Sequence, residues 1–169
     1  MEKIYINSIQ DLLDYRIEKP RVLREKHKSK ELAFCDRLDG SLKEILRDIG
    51  YKVVSIKREF ELESNRIDYL CKLENQRYLD IEVKVDSDKI NKDTVFSFAI
   101  GQLLTYRTLF SHQYQISRDN IGLMLLTDAD SITALAVINN EGIDIDMLVV
   151  GENGVKYYGK DRETEKGNR

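Results

Sequence analysis

Three strand-like segments follow one another in the middle of this chain of 169 residues. They cover residues 52–58, 66–73 and 78–85, and each is rich in the β-branched and aromatic residues that favour strands. The third alternates strictly, with apolar side chains on one face and charged side chains on the other. A short polar connection separates the second and third segments, which suits an antiparallel pair.

Helical patterns flank these strands, and further strands follow. Apolar residues recur at helical spacing over residues 29–49, where Gly40 marks a point at which the helix could bend or break. A second long helix is expected over residues 94–110. After it, a continuous apolar run predicts a central strand covered on both faces, and a helix and two short strands complete the fold. These later elements are expected at residues 121–127, 131–140, 145–150 and 155–158.

The predicted fold class is α/β, with a mixed central sheet flanked by helices. Residues 29–159 form one domain in this scheme. Residues 1–28 contain a short helical pattern and a basic segment, and we interpret them as a helical extension with a linker. We interpret residues 160–169 as a disordered charged tail.

Composition narrows the classes of protein that this chain can be. Hydrophobic residues make up 41% and charged residues 34%, which suits one core beneath a charged surface. No apolar run reaches the roughly 20 residues that span a bilayer, and two cysteines are too few for a disulfide framework. We therefore expect a cytoplasmic protein that does not enter membranes. The net charge of −3 argues against coating nucleic acid by bulk electrostatics, but not against an enzyme with a local basic surface.

Glu82 and Lys84 lie on the charged face of the third strand. A half-exposed surface strand would show the same alternation, so this pattern alone does not indicate a site. The preceding strand adds a second signal. We assign Ile67 and Tyr69 to its apolar face, and Asp68 lies on the opposite face. Aspartate is disfavoured in strands, which suggests a role other than strand formation.

The register of these two strands decides whether Asp68 approaches Glu82. Residues directly opposite in an antiparallel pair share a face, so Asp68 opposite Glu82 requires a three-residue loop at residues 74–76, or a bulge of equivalent effect. Asn75 tolerates the left-handed backbone that such a loop needs. A two-residue turn would instead pair Asp68 with Val83 and turn it toward the apolar side. We expect the three-residue loop.

Two convergent carboxylates suit a hard divalent cation. Mg²⁺ takes oxygen ligands and is commonly held by one or two carboxylates plus substrate phosphate, and it can activate a water for hydrolysis. A neighbouring lysine contributes a positive charge that can orient the water or stabilise the transition state. We therefore expect Mg²⁺ or Mn²⁺ at Asp68 and Glu82, with Lys84 beside them.

The same residues resemble the PD-(D/E)xK nuclease superfamily, whose core is helix, three strands, helix and strand. Asp68 matches the aspartate of the motif, preceded by isoleucine rather than proline, and Glu82-Val83-Lys84 matches the (D/E)xK triplet. More narrowly, residues 66–70 (RIDYL) and 101–106 (GQLLTY) are similar to the catalytic domain of the NucS/EndoMS-like endonucleases. The resemblance implies a restriction-endonuclease-like core and a metal-dependent endonuclease, and it favours DNA over RNA as the substrate.

The resemblance also implies supporting residues. Gln102 and Tyr106 share one helix face, and in the resembled family such a pair lines the site; a buried, internally bonded pair is the alternative. The backbone carbonyl of Val83 would be a further metal ligand. The family also uses a glutamate of the first helix. Glu31, which falls within the apolar stripe, is preferred to Glu44, which lies on the opposite face.

Basic residues near these motifs are candidates for nucleic-acid binding, with an ordinary solvated surface as the alternative. The expected function is a metal-dependent endonuclease that acts as a homodimer or within a larger complex. The competing function is a catalytically inactive module of the same fold that binds nucleic acid or a protein partner. The candidate basic residues are Arg66, Arg107, Arg24, Lys28 and Lys30.

Overall fold

The computed structural model describes residues 21–85 and 92–159, and within them all side chains except those of residues 21–29, 92–95, 132 and 133. The chain before residue 21 and the predicted tail therefore lie outside the described residues. The described part contains four α-helices and six strands. None of these helices is both long and apolar enough to cross a lipid bilayer. The helices are α1 (Arg21–Leu38), α2 (Leu42–Asp48), α3 (Lys92–Tyr114) and α4 (Ile132–Asn140). The strands are β1 (Val53–Leu62), β2 (Asn65–Leu73), β3 (Tyr78–Lys84), β4 (Ile121–Thr127), β5 (Asp146–Gly151) and β6 (Gly154–Tyr158).

All six strands form one sheet in the order β1-β2-β3-β4-β5-β6. The first three pair antiparallel, β3 to β5 pair parallel, and β6 returns antiparallel to β5. Parallel neighbours need a long connection, and α3 and α4 provide it here. The predicted α/β class with a mixed central sheet is confirmed.

Helices cover both faces of the sheet. On one face, Leu42 and Leu46 of α2 join a core that contains Ile81 and Val83 of β3. On the other face, α3 and α4 pack against β4 and β5. Every residue of β3 after Tyr78 is consequently buried. The charged face of this strand is thus not a solvated surface, which was the ordinary alternative for its sequence pattern.

The predicted helix over residues 29–49 is in fact two helices. The chain turns at residues 39–41, between α1 and α2, and Gly40 lies within this turn. Glycine is suited to such a break because it lacks the Cβ that restricts other residues. Since α1 begins at Arg21, the predicted boundary between residues 28 and 29 falls inside a helix. The described part of the basic segment is helical rather than an irregular linker.

The β1–β2 hairpin changes faces part-way along its length. Glu59, in the middle of β1, has a left-handed backbone with a φ of 53°. Tyr69 belongs to the core beneath α1 and α2, whereas Phe60 and Ile67 pack with Phe110 of α3. The prediction that Ile67 shares a face with Tyr69 is therefore wrong. The strong local twist at Glu59 carries the end of the hairpin across to the side of α3.

Candidate active site

The backbone N–H of Leu73 donates a hydrogen bond to the Arg77 carbonyl at 2.8 Å, which closes a three-residue loop, Glu74–Gln76, between β2 and β3. Pairing from this connection reaches Tyr69 opposite Ile81. Because antiparallel partners advance by one residue on each strand, the next positions in this register are Asp68 and Glu82. The predicted loop length and register are confirmed, and the two-residue turn is excluded.

Beyond Tyr69, β2 and β3 separate, and a hydrogen bond to a side chain takes the place of the backbone hydrogen bonds between the two strands. The backbone N–H of Val83 donates a hydrogen bond to Asp68 Oδ2, with an N–O distance of 2.8 Å. In an extended strand the N–H and C=O of one residue point to the same edge. The Val83 carbonyl therefore faces the same gap between β2 and β3. We call this gap the fork; it brings together the Asp68 carboxylate and the Val83 backbone.

Glu82 and Lys84 form a buried ion pair next to the fork. Lys84 Nζ lies 2.6 Å from Glu82 Oε1 and 3.6 Å from Glu31 Oε1 of α1. Glu82 is 2% exposed and Lys84 is 7% exposed. Glu44, the competing glutamate, is exposed on α2. Of these two glutamates, the structure brings Glu31 to the lysine.

Burial and charge act in opposite directions on these groups. Burial raises the pKa of Glu82 to about 8, although Lys84 lowers it, and the neighbouring charge of Asp68 raises it further. Burial also raises the pKa of Asp68. Burial lowers the pKa of Lys84, but the carboxylates of Glu82, Glu31 and Asp68 outweigh it, so the net pKa of Lys84 is raised. An additional positive charge in this cluster would favour the ionised carboxylates.

Gln102 and Tyr106 of α3 approach the same cluster. Gln102 Nε2 donates a hydrogen bond to Tyr106 Oη at 3.0 Å. Gln102 Oε1 is buried and has no hydrogen-bond partner among the described residues. Burial raises the pKa of Tyr106 to about 12, and the charge of Glu82 contributes. The pair is therefore bonded internally, as the alternative required, and its Tyr106 lies within electrostatic reach of Glu82, Asp68 and Lys84.

The residues of the fork fit a hard divalent cation. A cavity of about 50 Å³ has Glu31, Asp68 and Val83 in its lining. Glu82 Oε2 is buried without a hydrogen-bond partner within the described part of the chain. Two carboxylates and a backbone carbonyl are the oxygen donors that Mg²⁺ and Mn²⁺ accept. Within residues 21–85 and 92–159, no cluster of three or more His, Cys, Asp or Glu side chains is arranged to hold a metal. The protein would thus supply few ligands, as is common for Mg²⁺.

Arg66, one of the predicted phosphate-binding residues, lies beside the fork. It lines the same cavity as Asp68, and its charge opposes the rise that burial causes in the pKa of Asp68. Its guanidinium Nη1 lies 3.3 Å from Glu59 Oε1, and both side chains are about half exposed. Lys30 is exposed on α1, while the side chains of Arg24 and Lys28 lie outside the described residues.

Arg107 is placed differently. It is half-buried on α3, where its electrostatic neighbours include Arg118, Asp144 and Asp80. Asp80 is fully buried on β3, and neither of its carboxylate oxygens has a hydrogen-bond partner among the described residues. The structure therefore places Arg107 toward buried Asp80 rather than in the cluster around Glu82.

Two features of this region were not found from the sequence. The buried Asp80 shares the charged alternation of β3, but the pattern gives no measure of burial. Arg58 of β1, which lines the cavity beside Asp68, belongs to no motif. Its contacts join segments that are far apart in the chain, so spacing along the sequence could not reveal it.

Comparisons with known proteins give distant structural matches. No protein-family model matches the sequence, and neither does any curated protein sequence. The chain is similar to a repair endonuclease from Pyrococcus abyssi, with a TM-score of 0.44 and 14% identity over 77% of this chain and 47% of that one. It is also similar to the protein in an EndoMS–dsDNA complex, with a TM-score of 0.41 and 15% identity over 66% of this chain and 44% of that one.

A third similar structure is an XisH family protein from Nostoc punctiforme, with a TM-score of 0.43 and 14% identity over 68% of this chain and 92% of that one. The present chain spans less than half the length of the two endonuclease chains. These likenesses are too distant to decide function, which has to be argued from the residues of the fork.

Proposed function

We propose that the protein is a Mg²⁺- or Mn²⁺-dependent endonuclease that hydrolyses phosphodiester bonds, with DNA rather than RNA as its substrate. The observation that carries the proposal is the buried meeting of Asp68, Glu82 and Lys84 beside the fork. The choice of DNA rests on the sequence resemblance to endonucleases around these residues. Since the domain is small and net acidic, a homodimer or a larger complex is part of the proposal.

In this proposal Asp68, Glu82 and the Val83 carbonyl hold the divalent ion. A bound ion would polarise the scissile phosphate and supply an activated water. Burial disfavours ionised carboxylates, and the positive charges of the ion and of Lys84 would both restore them. The depth of the cluster would strengthen the attraction of the ion and of Lys84 for a phosphate, because opposite charges attract more strongly away from bulk water.

In this proposal Lys84 acts directly on the attacking water or on the phosphate. Its ammonium group is held between Glu82 and Glu31, and its raised pKa keeps it positively charged at neutral pH. A fixed ammonium group at this position can orient the attacking water or stabilise the negative charge that develops on the phosphate. Gln102 and Tyr106 support the cluster from α3.

Replacing Lys84 tests this function against a matched control. We expect Lys84→Met to lower the cleavage rate by at least about 100-fold, the usual effect of removing one charge-stabilising group. Lys156 offers the control: its Nζ also lies 2.6 Å from a carboxylate oxygen, that of Asp130, but its side chain is 59% exposed. Lys156→Met should cleave at the wild-type rate. The assay uses mismatched, branched and single-stranded labelled DNAs with RNA controls, and an undiminished rate in Lys84→Met would contradict the proposal.

Metal binding separates the enzyme from the inactive module. We expect Mn²⁺ to raise the Tm of the wild type, because a ligand that binds only the folded state stabilises it. Glu82→Gln should lose this shift, and Asp130→Asn, which changes an exposed acid, should keep it. A wild type that shows no shift at millimolar Mn²⁺ would favour the module.

A further inference from the structure

Arg58 connects the β1–β2 hairpin to the end of α1. Its Nη1 lies 2.7 Å from Asp36 Oδ1 and 2.7 Å from Asp39 Oδ2, and its Nη2 donates to the Leu32 carbonyl at 3.5 Å. Leu32 and Asp36 belong to α1, and Asp39 follows it directly. The guanidinium group of Arg58 therefore contacts three residues of the same helical segment.

The strand that carries Asp68 joins this contact. Tyr69 pairs with Arg58 across the hairpin, and its hydroxyl lies 2.7 Å from Asp39 Oδ1 and 3.2 Å from the Cys35 carbonyl oxygen. Two neighbouring side chains, one from each strand of the hairpin, thus hold the same end of α1. Tyr69 directly follows Asp68, so this attachment lies next to the fork.

We propose that Arg58 is a positioning residue, which fixes α1 against the hairpin so that Glu31 of α1 stays beside Lys84; this inference rests on the proposed nuclease function. Glu31 lies one and a half turns before Asp36 on the same helix. Arg58, Glu31 and Asp68 also line one cavity. A movement of the helix relative to the hairpin would displace Glu31 from the lysine and change the shape of that cavity.

The energetics favour positioning over stability as the main effect. The side chain of Asp36 is 63% exposed and that of Asp39 is 45% exposed, and ion pairs that involve exposed carboxylates contribute little to folding stability. The hydrogen bond from Arg58 to Asp36 is the largest cause that raises the pKa of the guanidinium, so Arg58 keeps its positive charge. Catalysis is far more sensitive to geometry, since a displacement of about 1 Å can cost about 100-fold in rate.

A double-mutant cycle tests the route through Glu31. We expect Arg58→Gln to lower kcat about 10-fold or more, with little change in KM. In a Glu31→Gln background the same substitution should have almost no further effect, because the group it positions is already absent. Arg47→Gln is the matched control, since Arg47 also joins a helix to β1, through a hydrogen bond to the Val53 carbonyl at 3.2 Å. Additive losses from Arg58→Gln and Glu31→Gln would overturn the inference.

A second measurement is independent of activity. Hydrogen exchange of the Arg58→Gln protein should be faster over residues 30–38 of α1 and unchanged in β3 and β4. If the wild type cleaves nucleic acid but exchange in α1 does not change, the positioning role is wrong while the nuclease function stands. If the wild type cleaves nothing, the nuclease function is wrong, and exchange in α1 alone decides whether Arg58 holds the helix.

Discussion

Three buried charged residues lie on the single strand β3. Asp80, Glu82 and Lys84 are all less than one-tenth exposed, although they belong to one short strand. Burying an ionised group costs free energy unless partners offset the loss of water. Glu82 and Lys84 offset each other and approach the fork. Asp80 has no such direct partner among the described residues and faces Arg107 only through a longer electrostatic interaction.

Asp80 gives a prediction about pH. Burial raises its pKa from 3.8 to about 7, and Arg107 lowers it in part. The folded protein therefore holds this proton more tightly than the unfolded chain does, so the contribution of Asp80 to stability is present below about pH 4 and is lost as the pH rises through about 7. The loss should be on the order of a few kcal/mol.

Urea unfolding without divalent ions, from pH 4 to pH 8, measures this effect. The free energy of unfolding of the wild type should fall relative to that of Asp80→Asn as the pH rises. Other titrating groups contribute equally to both proteins and cancel in the difference. Parallel curves for the two proteins would show that Asp80 does not titrate with a raised pKa.

At the scale of elements, the connection between β2 and β3 sets the register. Asn75 and Gln76 within it have φ values of 59° and 58°. A β-branched side chain is strongly disfavoured in this left-handed region. The conformation of this connection therefore helps to place Asp68 opposite Glu82.

Substitution at Asn75 tests this role. We expect Asn75→Val to lower the free energy of unfolding by about 1–2 kcal/mol, the cost of a left-handed backbone for such a residue. Arg77→Val is the control, because Arg77 has an extended backbone with a φ of −92° that valine adopts readily. Denaturant midpoints measure both variants, and equal stabilities would contradict the strain at Asn75.

The elements differ in how far they could be predicted from sequence. The strands follow from alternation, which is a local property of two-residue period, although it fails at Ile67. The approach of Asp68 to Glu82 follows from the length of the loop that joins the two strands. The break near Gly40 and the early start of α1 could not be fixed, because helix ends depend on tertiary contacts. The change of face falls at Glu59, just past the predicted strand of residues 52–58, and a glutamate does not reveal a left-handed backbone.

At the scale of the whole molecule, net charge limits how nucleic acid can be held. A charge of −3 gives no general attraction to phosphates, so binding depends on a few local cations. Arg66 lies at the cavity beside Asp68, whereas Arg107 lies among carboxylates on the other side. Both arginines were predicted from the sequence to bind nucleic acid. Their positions lead us to expect that Arg66 contributes to binding and that Arg107 does not.

The salt dependence of DNA affinity would distinguish Arg66 from Arg107. In a Lys84→Met background without divalent ions, the affinity for DNA should fall with salt at a slope no steeper than about −3.6 on logarithmic axes, the limit for the four candidate phosphate contacts other than Arg107. Arg66→Ala should reduce that slope by about 1, and Arg107→Ala should leave it unchanged. An equal effect of both substitutions would show that Arg107 reaches the phosphates as well.

The hydrogen bond from the Val83 amide to Asp68 has an evolutionary consequence. The separated strands need an oxygen acceptor at position 68, but they do not need a negative charge there. Alanine would leave a backbone donor unsatisfied, at a cost of about 1–3 kcal/mol, whereas asparagine keeps a carbonyl oxygen at the same place. A single nucleotide change from an aspartate to an asparagine codon would therefore remove the proposed metal-binding charge and preserve the architecture. Such a descendant would keep the fold without the proposed activity.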